Sequence, residues 1–151
     1  MNSKELVKKY LDEVNIMQLA TSDGNELWAC NIHFYADNDL NLYWASSKER
    51  LHSLHIANNP NAAAAIKVKA DTEADKTVIG ISISGTATLL EANIDETIVK
   101  AFVVKHKKPE NYLDNVIDGT SSSKFYMLIP SRVVLFDNKT FPDNPRVEVE
   151  L

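Results

Sequence analysis

Between Ser46 and His52 the chain reads Ser-Ser-Lys-Glu-Arg-Leu-His, two hydroxyls and three basic side chains within seven residues. That combination is chemistry for an anion. Hydroxyls and main-chain amides donate to phosphate oxygens, and Lys48, Arg50 and His52 add charge-assisted bonds. Ser46, followed three residues later by Glu49, has the spacing of a capping box, which predicts a helix starting near Ser47 with its free amides and positive dipole end at the same place. The residues also fit a plainer arrangement, in which Ser46 only caps the helix and the cations form its solvated face. His52 and His55 stand three apart on one helical face, but a metal centre needs further ligands that the chain does not offer at suitable spacing. No side chain stands out as a general acid or base, so the sequence assigns no catalytic residue.

The elements around this turn must position it. Upstream, Trp28, Cys30, Ile32 and Phe34 alternate with Leu27, Ala29, Asn31, His33 and Tyr35, as in a strand with one apolar face. Asn31 and His33 then lie on the opposite face, either as ordinary solvent-facing polar groups or as the lining of a site. Ala36-Asp37-Asn38-Asp39 turns the chain, and Leu40, Leu42 and Trp44 alternate with Asn41, Tyr43 and Ala45, so the two segments are expected to pair as a hairpin. Leu51, Leu54 and Ile56 give the following helix its apolar positions, and Pro60 ends it.

Composition narrows the function classes. A chain of 151 residues is long enough for one domain with an ordinary core. The formal charge of -5, with acids spread along the sequence, offers no basic stripe for a nucleic-acid backbone. No apolar run approaches the ~18 residues that span a bilayer, and Lys4, Glu5, Lys8 and Lys9 occupy the place of a signal peptide's apolar stretch. A cytoplasmic protein with neither nucleic-acid nor membrane partner is expected. Cys30 is the single cysteine, which excludes an internal disulfide and fits a packed thiol in a reducing compartment rather than a nucleophile.

Leu6, Val7, Tyr10, Leu11 and Val14 recur at helical spacing behind a capping pair, Asn2 and Glu5, so the chain opens on an amphipathic helix that lies as a lid on a sheet. Ile16 to Thr21 reads as a strand, and Ser22-Asp23-Gly24-Asn25 as a tight turn. After Pro60, Ala62 to Val68 reads as a strand. Asp71 to Lys76 reads as a loop, and Ile79 to Leu90 as one long strand bulged at Gly85. Asn93 and Glu96 are placed to cap a helix that ends on the cations His106, Lys107 and Lys108. A short helix holds Tyr112 and Val116. Phe125 to Phe136 makes one strand, or two offset by Pro130, and the tail is irregular until Val147 to Leu151. The tally is about six antiparallel strands with helices outside them, a mainly β chain suited to a small barrel.

This order of pieces resembles the pyridoxamine 5'-phosphate oxidase-like, FMN-binding split-barrel superfamily. The likeness runs over nearly the whole chain. Its most telling part is Tyr43-Trp44-Ala45-Ser46-Ser47-Lys48-Glu49-Arg50-Leu51-His52 running to Asn58-Asn59-Pro60, similar to the family's strand end, phosphate-contacting turn and following strand start. The resemblance implies a six-stranded antiparallel split β-barrel with peripheral helices, and a homodimer with FMN at the subunit interface. It implies that Cys30, Asn31, Ile32 and His33 run along the flavin ring, while Ser46, Ser47, Arg50 and His52, with Lys48 beside them, hold the phosphate. Oxidases that act on the vitamin carry Arg-x-x-x-x-Lys on the second strand and an Arg-Lys pair in the turn. Here Cys30 to Tyr35 and Leu51-His52 stand instead, so the implied activity is a related oxidoreductase acting on another small molecule. Relatives that bind haem or a deazaflavin, or that serve stress or regulatory roles, supply the alternative of a non-catalytic dimeric split barrel.

Overall fold

Asn2 and Glu5 bond reciprocally at the start of α1 (Ser3–Glu13), as their spacing predicts, at 2.8 and 2.9 Å. Val7, Tyr10 and Leu11 are the buried stripe of this helix. The structure, a computed structural model, describes residues 1–91 and 94–151. Among the described residues eight strands follow: β1 (Ile16–Ser22), β2 (Leu27–His33), β3 (Tyr35–Ala36), β4 (Leu42–Ser46), β5 (Asn61–Lys69), β6 (Ile79–Leu90), β7 (Lys124–Asp137) and β8 (Arg146–Val149). Three further helices are α2 (Leu51–Asn58), between β4 and β5, and α3 (Glu96–His106) and α4 (Tyr112–Ile117), between β6 and β7. The two strands beyond the expected six are the short β3 and β8.

Every strand joins one antiparallel sheet in the order β2-β1-β5-β6-β7-β4-β3, with β8 beside β7. The expected hairpin forms only in part. Tyr35 and Ala36 pair with Tyr43 and Leu42, whereas β2 pairs with β1 alone, Ile16 to Ser22 against His33 to Leu27. Phe34, fully buried, carries the chain directly from β2 at one end of the sheet order to β3 at the other. The two ends of the curled sheet therefore come side by side without a ladder joining β2 to β4, and an antiparallel half-barrel with an open seam results.

Inside the curl sits the main core, with Met17, Leu19, Leu42, Trp44, Ile83 and Leu128 among its buried side chains and α1 laid over it. A second, smaller core lies on the other face of β4 and β7, where Val99 and Phe102 of α3 and Val116 of α4 pack on Phe125. The α3–α4 insert is thereby fixed against the outside of the barrel. The cap expected at Asn93 falls outside the described residues; Asp95 takes the capping bond, accepting from the Thr97 amide at 2.9 Å. The β6–β7 register does shift between Ser84 and Gly85, but the extra residue is Ser131 of β7, between Pro130 and Arg132, so the bulge lies opposite Gly85 and β7 stays one strand through its proline. No helix among the described residues is long and apolar enough to cross a membrane.

Candidate functional site

The turn after β4 departs from the capping-box expectation. Ser46 is the last residue of β4, and strand alternation points its side chain inward with Leu42 and Trp44. Its hydroxyl meets His52 Nε2 at 2.7 Å instead of capping a helix. Ser47 Oγ accepts the Glu49 amide at 3.2 Å, and α2 starts only at Leu51, with Arg50 in the cap position and no side chain bonded to the first turn. The helix tip that the sequence places near Ser47 thus lies four residues later, and it is left uncapped, which is the state in which its amides can meet an anion.

His52 is the hinge of the region. Its ring is buried, with Nε2 on Ser46 of β4 and Nδ1 3.6 Å from Cys30 Sγ of β2. One imidazole therefore ties α2 to both sides of the seam. Burial lowers the His52 pKa below its ordinary 6.5, and the nearby Arg50 charge lowers it further. Burial raises that of the Cys30 thiol. The two shifts favour the neutral imidazole and the neutral thiol, so one ring nitrogen donates and the other accepts across the Cys30–His52–Ser46 contacts. This arrangement positions the seam; it does not produce a thiolate nucleophile. It also means that His52, expected to reach outward to a phosphate, has both ring nitrogens engaged within the chain.

Arg50 is exposed, and among the described residues it makes no ion pair. Lys48 is exposed as well and lies 3.4 Å from Glu91, where it turns toward a separate hollow between α2 and β6. Of the four residues expected along the ring, Asn31 and His33 face outward and Cys30 and Ile32 face inward, because β2 alternates. What the four share is the outer edge of β2, whose main-chain groups have no strand partner on the seam side.

That edge opens into a pocket of about 310 Å³. Asn31, Ile32 and His33 form one wall, and Ala45 of β4 forms part of another. The insert adds Phe102, Lys108 and Tyr112, and Ile16 and Ser123 complete the lining. His106 stacks on His33, with ring centroids 4.8 Å apart and planes within 10°. Its Nε2–H donates to the Phe34 carbonyl at 2.8 Å. Burial lowers its pKa, outweighing the bond to Phe34, and His33, Lys105 and Lys108 lower it further. The cationic run ending α3 was visible in the sequence; that Lys108, Phe102 and Tyr112 meet Asn31 and His33 was not, because some seventy residues separate them and only the packing of α3 on Phe125 brings them together.

The outward faces of β1, β2, β5 and β6 form a second surface continuous with Asn31. Small side chains, among them Ala20, Ala29, Ala63, Ala65 and Ser82, floor a hollow of about 370 Å³ there. Gln18 on this face donates to Asn31 Oδ1 at 2.8 Å. Leu27 stands exposed on this side of β2, at 83%; Trp28, expected with Cys30 and Ile32 on the core face, lies on the other side and is 46% exposed because it sits near the strand's open end.

No protein-family model and no curated protein matches the sequence. Solved structures do resemble it. A protein from Listeria innocua provisionally assigned as a pyridoxamine 5'-phosphate oxidase superposes with a TM-score of 0.64 at 20% identity, over 87% of this chain and 96% of that one. The heme storage protein HutZ from Vibrio cholerae gives 0.64 at 16% identity, over 88% and 94%. A heme binding protein from Mycobacterium smegmatis gives 0.77 at 16% identity, over 99% of this chain but only 58% of that protein's length. Likeness at such identities establishes architecture. At these TM-scores and coverages the chain shares the split-barrel fold of those structures, in keeping with its curled antiparallel sheet.

Proposed function

We propose that the chain is an FMN-binding split barrel acting as an oxidoreductase on a small molecule, with the cofactor lying along the seam of a homodimer. The observation that carries this reading is the Cys30–His52–Ser46 chain of contacts, which holds the unpaired edge of β2 next to the uncapped start of α2. A strand edge offers alternating donors and acceptors to a planar heteroaromatic ring, and an uncapped helix start beside a cation suits a phosphate. Ser47 and Arg50 would meet the phosphate and Lys48 would add charge nearby. Asn31 and His33 would border the ring, and His52 would position Ser46 and the seam instead of binding directly. Bound flavin supplies the electron transfer; the chain binds, orients and shields it. Exposed Leu27 and Trp28, on the two faces of β2, give a second copy apolar surface to cover.

The test is the visible spectrum of the purified chain followed by titration of FMN fluorescence. Under this reading Arg50→Ala weakens FMN by roughly 1.5 to 3 kcal/mol, the range for a charge-assisted bond. A colourless protein that leaves FMN fluorescence unquenched removes the reading, and a monomeric mass by light scattering at micromolar concentration removes the dimer. A second reading, favoured by the heme-associated neighbours and by the stacked imidazoles of His33 and His106, the first of which lines the pocket, is a non-catalytic split barrel binding another cofactor. A heme titration monitored in the Soret region separates the two.

A further inference from the structure

The pocket beside the β2 edge has a charge pattern of its own. In a chain of net charge -5, none of the side chains lining it is acidic, and one, Lys108, is a fixed cation. Lys108 makes no ion pair among the described residues; its ammonium lies 5.4 Å from the Tyr112 ring centroid and 5.9 Å from that of Phe102. Those rings are held firmly, Phe102 edge-on to Phe125 at 5.1 Å and stacked with Tyr112 at 6.3 Å. Of the other basic residues ending α3, Lys107 is exposed and does not line the pocket, and Lys105 and His106 are engaged elsewhere. Lys105 donates to the Leu11 carbonyl at 2.9 Å, and His106 is engaged by Phe34. One cation, flat apolar walls and the polar ends of Asn31 and Ser123 describe a receptor for a flat molecule carrying a single negative charge.

We propose that this pocket, formed between the β2 edge and the α3–α4 insert, binds small planar monoanions of the aromatic carboxylate class, with Lys108 reading the carboxylate and Phe102 and Tyr112 bordering the ring. The inference deepens the proposed function by naming the substrate class of the adjoining site, and it is tested without flavin so that the two stand or fall separately. A dianionic phosphate ester fits less well, because a second charge finds no second fixed cation in the wall.

The experiment is calorimetric titration of the full chain with benzoate and with benzamide, its neutral isostere, first flavin-free and then with FMN present. Benzoate binding tenfold or more tighter than benzamide, with Lys108→Met and Lys108→Gln each abolishing that preference while circular dichroism stays unchanged, supports the site. Two lysine variants guard against one failing to fold. Equal binding of the two probes, no benzoate heat at millimolar concentration, or an undiminished preference in both variants overturns it. So does competition between benzoate and FMN, which would assign the pocket to the flavin ring. Benzoate selectivity in a chain that never binds FMN would retain this inference and discard the flavin reading.

Discussion

Lys105 offers a quantitative test of how the insert is attached. Its ammonium donates to the carbonyl of Leu11 in the last turn of α1 and sits 4.4 Å from the ring centroid of Phe34, the residue that carries the chain across the seam. Burial lowers its pKa from the ordinary 10.5 to about 8, with Asp12 opposing and Lys8 assisting. Folding therefore disfavours the charged form, and between pH 8 and 10.5 the unfolded chain binds more protons than the folded one. Stability from this group consequently rises with pH across that window. At about 1.4 kcal/mol per pH unit, the full shift corresponds to about 3 kcal/mol. The ammonium keeps part of its water, so screening reduces the expected gain to about 1 to 2 kcal/mol. Tyr10 and Tyr112, both raised mainly by burial, act in the opposite direction above pH 10, so the comparison belongs between pH 8 and 10 and against a variant. Urea unfolding of the wild type and Lys105→Met at half-unit steps is the assay. The wild type gains stability over the variant as pH rises, and parallel pH profiles would refute the burial argument.

Other perturbations test the seam and the sheet. Gly85→Ala builds a Cβ 1.9 Å from the Ile129 carbonyl oxygen, so β6 and β7 must part by about 1.5 Å to reach the 3.4 Å of ordinary contact. A loss of about 3 to 5 kcal/mol in chemical denaturation is expected, and a loss below 1 kcal/mol would show that the bulge adapts. His52→Ala removes a buried ring and strands the Ser46 hydroxyl, costing about 2 to 4 kcal/mol; disulfide-exchange reagents should modify Cys30 faster in this variant. Because burial lowers the His52 pKa, the unfolded chain takes up the extra proton as pH falls through 6.5. The wild type therefore loses stability there, and a flatter profile is expected for His52→Gln. Asp137 is buried at the end of β7, accepts from the Tyr10 hydroxyl at 2.7 Å and from the amides of Lys139 and Thr140 at 3.0 and 2.9 Å, and ties α1 to the barrel. Asp137→Asn should cost about 1 to 3 kcal/mol, with a correspondingly lower thermal midpoint.

Local chemistry in the sequence was enough for most of the elements. The Asn2–Glu5 pair, the turn at Gly24 and the alternation of Ile79, Ile81 and Ile83 all involve residues within a few positions of one another, where propensity and period act directly. Identifying β2 as a strand with Asn31 and His33 on one face likewise needed only its period of two. Which partner β2 takes was beyond that reach: its alternation fits pairing with β4 as well as with β1, and burial of Phe34 sends the chain across instead. The same non-local packing turned Ser46 from a helix cap into a partner of His52, since a hydroxyl three residues before a carboxylate satisfies either geometry until the strand's inward face is known. It also joined Lys108, Tyr112 and Phe102 to Asn31 and His33, a meeting fixed by the second core and invisible to any pattern along the chain. Sequence alone thus determined the elements and the anion-seeking composition of the 46–52 turn. Tertiary structure decided which of those side chains face one another, because long-range burial, unlike local propensity, is a property of the whole fold.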